Sequence, residues 1–269
     1  MARIRALLVD LSGNLHVDAT PTPGVAAAVR RLRKAGVVLR FVSNTSKECR
    51  SSLLAKMHEM DLDVREDELF TSLSAVRDIV IRRNLRPLYL LTPSALSDFP
   101  PPSPPYDSVV VGLAPNAFDY SQLNDAFRLL AGEEDGRKKG EVPLIVTHKA
   151  RYIGDKDGKL SLGPGPFISA LEEAAGCKAE IVGKPEKAFF HLALDSLASY
   201  GYSNSEIGMI GDDAQQDVGP AVHSFGLKRF LVQTGKYRPG DEHGVDGCPP
   251  PEWTGPNFSA AVDEMLRRD

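Results

Sequence analysis

The chain has 269 residues, of which 42% are hydrophobic and 25% are charged, a mixture that is typical of a globular protein and argues against a largely disordered chain. Its formal net charge of −4 at pH 7 argues against a nucleic-acid binder that relies on a broad basic face. No apolar run approaches the roughly 18 residues that would suggest a membrane span.

The three cysteines, Cys49, Cys177 and Cys248, are scattered along the chain. An odd, dispersed set predicts neither a disulfide framework nor a CxxC metal site, so we expect reduced thiols. The N-terminal segment 1–10 is too short and too soon interrupted by charge to be a signal peptide. Together these features predict a cytoplasmic protein with no membrane partner.

Strand and helix patterns alternate in the first part of the chain. The apolar run 4–9 is followed by a helical stripe over 25–32, the apolar run 37–42 and a second helical stripe over 53–60. Strands and helices that alternate with short connections are typical of a parallel sheet covered by helices. The sequence therefore predicts an α/β fold.

The middle of the chain has a different composition. Its proline-rich segment 100–105 predicts a surface loop, and its charged segment 133–141 predicts a solvated loop. Strands are predicted at 109–111 and 144–146, with a helix over 123–130. These elements predict a second α/β unit.

The first pattern returns later in the chain, with apolar runs at 179–182, 207–210 and 229–232 and a closing helix over 258–268. We therefore expect the second unit, residues 74–178, to be inserted into the first. Two units agree with the length of the chain, which corresponds to about two domains.

Polar residues stand where four of the predicted strands end. These polar clusters are Asp10–Asn14, Ser43–Asn44, Lys184–Pro185 and Gly211–Asp213. Ligands of an open parallel sheet bind at the carboxyl ends of its strands, so neighbouring strands would bring carboxylates, a hydroxyl and a lysine into one small volume. Carboxylates this close repel unless a cation lies between them. Oxygen ligands suit Mg²⁺ that shares a substrate phosphate, which the lysine and the hydroxyl would face.

Each of these polar clusters also has a simpler interpretation when it is taken alone. An aspartate, serine or asparagine after a strand is usually a turn or cap residue, and a lysine in a turn is usually solvated. The ordered set, with every member at the end of a strand, favours a common site.

The ordered set resembles the motifs of the haloacid dehalogenase (HAD) superfamily of Mg²⁺-dependent phosphohydrolases. The resemblance covers nearly the whole chain, and the segments that carry it are 40–45, 163–167, 182–186, 209–213 and 234–238. It implies a phosphatase, but it does not identify a substrate.

The resemblance implies a Rossmann-like parallel-sheet core formed by residues 1–73 and 179–269, with residues 74–178 as an inserted α/β cap of the class 2 type. Such a cap closes over the crevice, excludes water and restricts access to small phosphorylated substrates. Caps of this kind often mediate dimers in the family, so we also expect a homodimer through the cap.

The resemblance further implies which residues form the metal site. Asp10 is implied as a ligand of Mg²⁺ and as the nucleophile that forms an aspartyl-phosphate. Further ligands are implied to be the Ser12 carbonyl and the Asp212 carboxylate. Asp213 and Asp217 are implied to support Asp212 or a metal-bound water.

A second set of residues is implied to bind the phosphoryl group. Its oxygens would be held by Ser43, Asn44 and Thr45. Lys184 would neutralise charge on Asp10 and on the phosphate. Positioning and charge stabilisation carry most of such a reaction.

Two positions depart from the family pattern. A second Asp, the general acid and base, usually stands two residues after the nucleophile, and here that position is Ser12. Loss of a general acid typically lowers the rate by ~10²–10⁴-fold, so we expect a preference for phosphoramidate, pyrophosphate or aryl phosphate leaving groups. Asn14 stands where Thr or Val is more usual, and we expect only a local packing effect there.

Three other functions remain open on the sequence. The Ser12 departure also fits a weakly active or inactive protein that binds a phosphorylated ligand. A receiver-type signalling module is shorter and keeps its acidic pair apart from the phosphoacceptor, which argues against it here. A true dehalogenase would not need the metal that the cluster around Asp212 suggests.

A few polar residues outside these motifs also need interpretation. His16 follows the first motif closely, but we interpret it as an ordinary loop histidine. Cys49 lies early in a predicted helix, where a thiolate is favoured, yet only Lys47 and Arg50 are basic neighbours in sequence. Residues 148–158 fit equally a specificity element of the cap and a solvated hairpin.

Overall fold

The computed structural model describes residues 3–17, 19–133, 138–154 and 159–267. It forms two compact units. The first, here the core unit, comprises Met1–Ser43, Leu54–Phe70 and Lys184–Asp269. The second, here the insert unit, comprises Asn44–Leu53 and Thr71–Gly183.

Fourteen strands are assigned within the described ranges of the chain. They are β1 (Ala6–Val9), β2 (His16–Val17), β3 (Thr20–Pro21), β4 (Val38–Ser43), β5 (Leu69–Thr71), β6 (Pro87–Leu90), β7 (Ser108–Val111), β8 (Leu144–Val146), β9 (Tyr152–Gly154), β10 (Leu160–Leu162), β11 (Ala179–Ile181), β12 (Ile207–Gly211), β13 (Lys228–Val232) and β14 (Trp253–Gly255).

The same ranges hold nine α-helices, together with short 3₁₀ turns. The helices are α1 (Val25–Lys34), α2 (Arg50–Glu59), α3 (Ser72–Arg82), α4 (Pro93–Leu96), α5 (Tyr120–Ala131), α6 (Gly165–Ala175), α7 (Lys187–Asp195), α8 (Pro220–Ser224) and α9 (Phe258–Arg267).

The core unit is built on a sheet with the strand order β14-β13-β12-β1-β4-β5. Strand β1 pairs in parallel with both β12 and β4, and Leu8 lies opposite Met209 on one side and Arg40 on the other. All four residues of β1 are buried, as expected for a parallel strand with helices on both faces. The ends of β1, β4 and β12 therefore meet at one edge, where the polar clusters after Val9 and around Ser43 and Gly211 begin.

The insert unit has its own parallel sheet, with the strand order β11-β8-β7-β6. Helices α5 and α6 contribute to its apolar core, which includes Val109, Leu130, Leu144 and Ile168. Strands β9 and β10 form a separate antiparallel hairpin. The strands predicted at 109–111 and 144–146 and the helix predicted over 123–130 are present as β7, β8 and α5.

The apolar run 179–182 lies in a different sheet from the one we expected. It forms β11, which pairs in parallel with β8 of the insert unit, and not with a core strand. A short apolar run fits any parallel sheet, so its sequence does not specify its neighbour. The insert unit consequently extends to Gly183, and it also includes Asn44–Leu53, whereas the sequence division placed the boundaries at 73/74 and 178/179.

Part of the predicted loop 133–141 and part of segment 148–158 lie outside the described residues. In the described ranges, no helix has both the length and the apolar character needed to cross a bilayer.

An ion pair inside the core unit predicts acid sensitivity. Glu68 is 4% exposed, and its carboxylate accepts hydrogen bonds from Arg33 at 2.7 and 2.6 Å. Burial alone would raise the pKa of Glu68, but the Arg33 hydrogen bonds, the Arg65 backbone and the nearby positive charges together lower it. The folded state therefore gains stability above the unfolded pKa of about 4.3, and this gain is lost as the pH falls through the folded pKa.

We expect Glu68→Gln to lower the free energy of unfolding by about 2–3 kcal/mol at pH 7 and by progressively less below about pH 4. Urea denaturation of both proteins between pH 7 and pH 3 measures the difference. Asp61→Asn is the matched control, because Arg30 and Asp61 form an exposed pair, 56% and 75% accessible, and should cost less than about 1 kcal/mol. Equal, pH-independent losses in both variants would refute the argument.

Candidate functional site

Lys184 joins two buried carboxylates at the centre of the core unit. Its ammonium group donates to Asp10 Oδ1, to Asp217 Oδ1 at 2.6 Å and to the Val42 carbonyl at 3.2 Å. The Lys184 side chain is 3% exposed, and those of Asp10 and Asp217 are 7% and 2% exposed. Burial alone would lower the pKa of Lys184, but the charges of Asp10 and Asp217 outweigh it and raise that pKa.

Asp212 follows β12 and is held between two stretches of backbone. A Cβ atom added to Gly13 or to Gly235 would overlap the Asp212 carboxylate, and both glycines have positive φ, 87° and 51°. Asp212 Oδ2 accepts a hydrogen bond from the Lys236 backbone N–H at 2.6 Å. The two glycines thus allow the loops after β1 and β13 to enclose this carboxylate.

The three carboxylates form a cluster that a cation would stabilise. One oxygen from each of Asp10, Asp212 and Asp217 lies within 4.8 Å of the others. Burial, followed by the charges of Asp10 and Asp217, raises the pKa of Asp212 well above its usual range. Burial and then the charge of Asp10 raise the pKa of Asp217 to about 7, although Lys184 opposes the rise. Crowded oxygen donors of this kind fit a hard divalent cation such as Mg²⁺.

Asp213 has a different environment from its neighbour Asp212. Its Oδ1 accepts the backbone N–H groups of Gln215 and Gln216 at 3.1 and 2.9 Å, and its Oδ2 accepts from Lys236 Nζ at 3.1 Å. Burial would raise the pKa of Asp213, but the Lys236 charge and the Gln216 N–H lower it. Asp213 therefore shapes the loop that carries Asp217, whose Oδ2 accepts the Asp213 N–H at 3.1 Å.

Asn14 has a more specific place than the packing effect we expected. Its side-chain amide is fully buried and donates to the Asp10 carbonyl at 2.9 Å and, more weakly, to the Ile210 carbonyl at 3.5 Å. It therefore connects the ends of the neighbouring strands β1 and β12, next to the carboxylate cluster.

The other predicted phosphate and metal residues follow β1 or lie at and after the end of β4. Ser43 is the buried last residue of β4 in the core unit, whereas Asn44 and Thr45 belong to the insert unit. Ser12 is exposed and forms an isolated bridge with His16. His16 itself lies in strand β2 and is 4% exposed, so it is not the ordinary loop histidine that we expected.

Two polar features lie within the insert unit. Hydrogen bonds with Ser51 and Ser52, at 3.3 and 3.1 Å, lower the pKa of the Cys49 thiol to about 6, so the cause is hydroxyl groups and not the basic neighbours Lys47 and Arg50. His148 is buried, and its Nε2 lies 3.5 Å from Ser46 Oγ. Residues 155–158 of the predicted specificity segment lie outside the described residues.

Lys236 is a polar residue of the core unit that was not predicted to belong to the site. It lies in segment 234–238, which carries part of the family resemblance, but nothing in that segment indicated a role for the lysine. The structure connects its backbone to Asp212 and its ammonium group to Asp213.

Comparisons with known proteins decide the family. A family profile described as haloacid dehalogenase-like hydrolase matches residues 7–98, and a second, HAD-hydrolase-like profile matches residues 181–260. Human haloacid dehalogenase-like hydrolase domain-containing protein 2 is 48% identical over 266 residues, which span 98% of this chain and 96% of that protein. The chain belongs to the haloacid dehalogenase-like hydrolase family.

Other members of the HAD family resemble the chain in sequence or fold. Human phospholysine phosphohistidine inorganic pyrophosphate phosphatase is 35% identical and covers 90% of this chain and 88% of its own length. The crystal structure of 4-nitrophenylphosphatase from Thermotoga maritima superposes with a TM-score of 0.81 at 23% identity, covering 97% of each chain. The predicted α/β fold class is confirmed, as is the predicted enzyme class, a hydrolase family whose named relatives include phosphatases.

Proposed function

We propose that the protein is an Mg²⁺-dependent phosphatase that hydrolyses a small phosphorylated substrate through an aspartyl-phosphate on Asp10. The observation that carries the proposal is the cluster of Asp10, Asp212 and Asp217 within 4.8 Å, joined by Lys184. Asp10, Asp212 and the Ser12 carbonyl would hold the cation, with Asp217 and Asp213 in supporting positions. When bound, Mg²⁺ supplies charge neutralisation for the phosphoryl oxygens.

The reaction would proceed in two displacements at phosphorus. The Asp10 carboxylate attacks phosphorus, the bond to the leaving group breaks, and the leaving group takes up a proton from solvent. Water then attacks the phosphorus of the aspartyl-phosphate and loses a proton to solvent, while the bond between phosphorus and the Asp10 oxygen breaks, which releases phosphate and restores the carboxylate. Lys184 stabilises the negative charge on Asp10 and on the transferring group, while Ser43, Asn44 and Thr45 would orient the phosphoryl oxygens.

Ser12 is the basis for a narrower proposal about the substrate. A hydroxyl cannot replace a carboxylic acid that protonates the leaving group near neutral pH. Substrates whose leaving groups need little help from the protein should therefore react best, namely phosphoramidates, which can be protonated on nitrogen, pyrophosphate and aryl phosphates. The name of the 35% identical human relative includes phospholysine, phosphohistidine and pyrophosphate, which supports this selection.

A substrate screen tests the proposed function. Purified protein is assayed with pyrophosphate, imidodiphosphate, phospholysine, 4-nitrophenyl phosphate and glycerol phosphate, with Mg²⁺ or with EDTA. We expect Mg²⁺-dependent turnover that is lowest for glycerol phosphate. Turnover of every compound at the rate of Asp10→Asn would instead favour the second candidate, a weakly active or inactive phospho-ligand-binding protein, which the Ser12 departure also fits.

Two further predictions concern the state and location of the protein. Tyr152, Leu160 and Leu162 of the insert-unit hairpin are 39%, 51% and 64% exposed, which supports a homodimer formed through this unit. Sedimentation equilibrium would test the dimer. The cytoplasmic location and reduced thiols remain predictions from the sequence, and fractionation of cells would test the location.

Gly13, which packs against the Asp212 carboxylate, provides a test of the metal site. We expect Gly13→Ala to weaken Mn²⁺ binding at least ~10-fold, because displacing a ligand's support typically costs 10–100-fold in metal affinity. Gly36→Ala is the matched control: Gly36 also has positive φ, 78°, but a Cβ there meets nothing within 4 Å. Backbone strain should cost both variants about 1–2 kcal/mol of stability, and Gly13→Ala should lose more because its Cβ also overlaps Asp212. Electron paramagnetic resonance of free Mn²⁺ measures the affinity, and equal affinities in the two variants would contradict the prediction.

A further inference from the structure

Lys236 is a second lysine beside the carboxylate cluster, and it follows Asp212 and Asp213 in the chain, whereas Lys184 precedes them. Its backbone N–H donates to Asp212 Oδ2 at 2.6 Å, and its Nζ donates to Asp213 Oδ2 at 3.1 Å. The side chain is 29% exposed, and that of Asp213 is 17% exposed. The ammonium group is therefore held beside the predicted metal ligands and is only partly screened by solvent.

The charges of this part of the core unit nearly balance when a divalent cation is added. Four carboxylates meet two lysines here: Asp10 and Asp217 accept from the Lys184 ammonium group, Asp213 accepts from the Lys236 ammonium group, and Asp212 accepts from the Lys236 backbone N–H. With every group ionised, two negative charges are in excess, which is the charge that one Mg²⁺ neutralises. Without Lys236 a third negative charge would remain uncompensated.

The positive charge of Lys236 has opposite effects on the affinity of the proposed phosphatase for the divalent cation and on its affinity for the phosphate group. A positive charge near the carboxylates lowers their attraction for a divalent cation. The same charge reduces the repulsion between the loaded cluster and a phosphate dianion. One positively charged side chain can therefore lower the affinity for the cation and raise the affinity for the phosphate anion.

We propose that Lys236 is a positioning residue that sets the charge of the active site, limiting its affinity for Mg²⁺ and increasing its affinity for the phosphate group. The inference rests on the proposed function, because it assumes that Asp10 and Asp212 hold the cation. The backbone N–H orients Asp212, and the ammonium group supplies the charge.

A purely structural role for Lys236 would have a different consequence. If the lysine only fixed the loop that begins at Asp213, its removal would disorder the cluster and weaken the binding of both the cation and the phosphate. Shifts of opposite sign thus distinguish a charge-setting residue from one that merely holds the loop.

The test compares Lys236→Met with Lys236→Arg, since both keep the backbone N–H and only Arg keeps the charge. We expect Lys236→Met to bind Mn²⁺ about fivefold more tightly and, at saturating Mg²⁺, orthophosphate about fivefold more weakly. Lys236→Arg should stay within about twofold of the wild type for both ligands. Paramagnetic resonance measures Mn²⁺, and titration calorimetry measures orthophosphate.

The controls separate this inference from the proposed function. Lys34→Met removes an exposed lysine at the end of α1 and should change neither affinity. Lys236→Gln replaces Lys236→Met if the latter does not fold. Weaker binding of both ligands, or no change in either, overturns the role of Lys236 while leaving the metal site intact. Wild-type protein that binds Mn²⁺ no better than Asp212→Asn would instead overturn the proposed function, and the inference with it.

Discussion

Asp10→Asn is expected to reduce turnover of the best substrate by roughly 10⁴-fold or more, since a lost nucleophile cannot be replaced by binding alone. The amide is a poor nucleophile toward phosphorus, and it brings no negative charge to the cation. Lys184 keeps its 2.6 Å contact with Asp217, so the site retains its lysine. Initial rates and the radiolabelled phosphoenzyme recovered after acid quenching both measure the loss.

Asp213→Asn is the matched control for Asp10→Asn. It removes one carboxylate charge at the residue that follows Asp212, yet an Asn oxygen can still accept the N–H groups of Gln215 and Gln216. Its turnover should fall far less. A phosphoenzyme that still forms in Asp10→Asn, or equal losses in both variants, would show that Asp10 is not the nucleophile.

The core of the site was predictable because of how parallel strands are built. Strands β1 and β12 are buried along their whole length, so their residues are apolar until the strand ends. A polar residue such as Asp10 or Asp212 then stands out in the sequence. Because the carboxyl ends of neighbouring parallel strands lie at one edge, the approach of these acids was expected if the strands were neighbours, and β1 does pair with β12.

The sheet assignment of the run 179–182 shows where that reasoning stops. An apolar strand carries no information about which of two parallel sheets it joins, and β11 pairs with β8 of the insert unit. Lys184 nevertheless reaches Asp10, since the chain returns to the core unit at this residue. The position of the lysine was therefore predicted, although the strand before it was placed in the wrong sheet.

Contacts made by backbone groups were the least predictable part of the site. Asn14 donates to the Asp10 and Ile210 carbonyls, and Lys236 donates its N–H to Asp212. Residue type alone does not say which carbonyl or carboxylate lacks a donor after folding, since that depends on the path of distant loops. The same limit applies to Cys49, whose pKa depends on hydrogen bonds with serine hydroxyl groups and not on charged neighbours in the sequence.

Ser12→Asp is expected to raise turnover of glycerol phosphate by at least ~10²-fold, which is the lower end of what a general acid contributes. An alkoxide is a poor leaving group, and a carboxylic acid at this position could protonate it as the bond to phosphorus breaks. Ser12 is exposed, so the longer side chain can be accommodated without displacing a buried neighbour. Turnover of imidodiphosphate should change much less, because its bridging nitrogen can take up a proton without an acid from the protein.

Ser12→Asn is the matched control, since Asn has the size of Asp but cannot donate a proton as an acid. It should leave glycerol phosphate turnover at the wild-type level. Only the rate of Ser12→Asp should fall at high pH, where its new carboxyl group can no longer donate a proton. If Ser12→Asn gave the same increase, or if glycerol phosphate and imidodiphosphate gained equally, the preference would arise from packing near residue 12, and the absence of a general acid would not explain the selection of leaving groups.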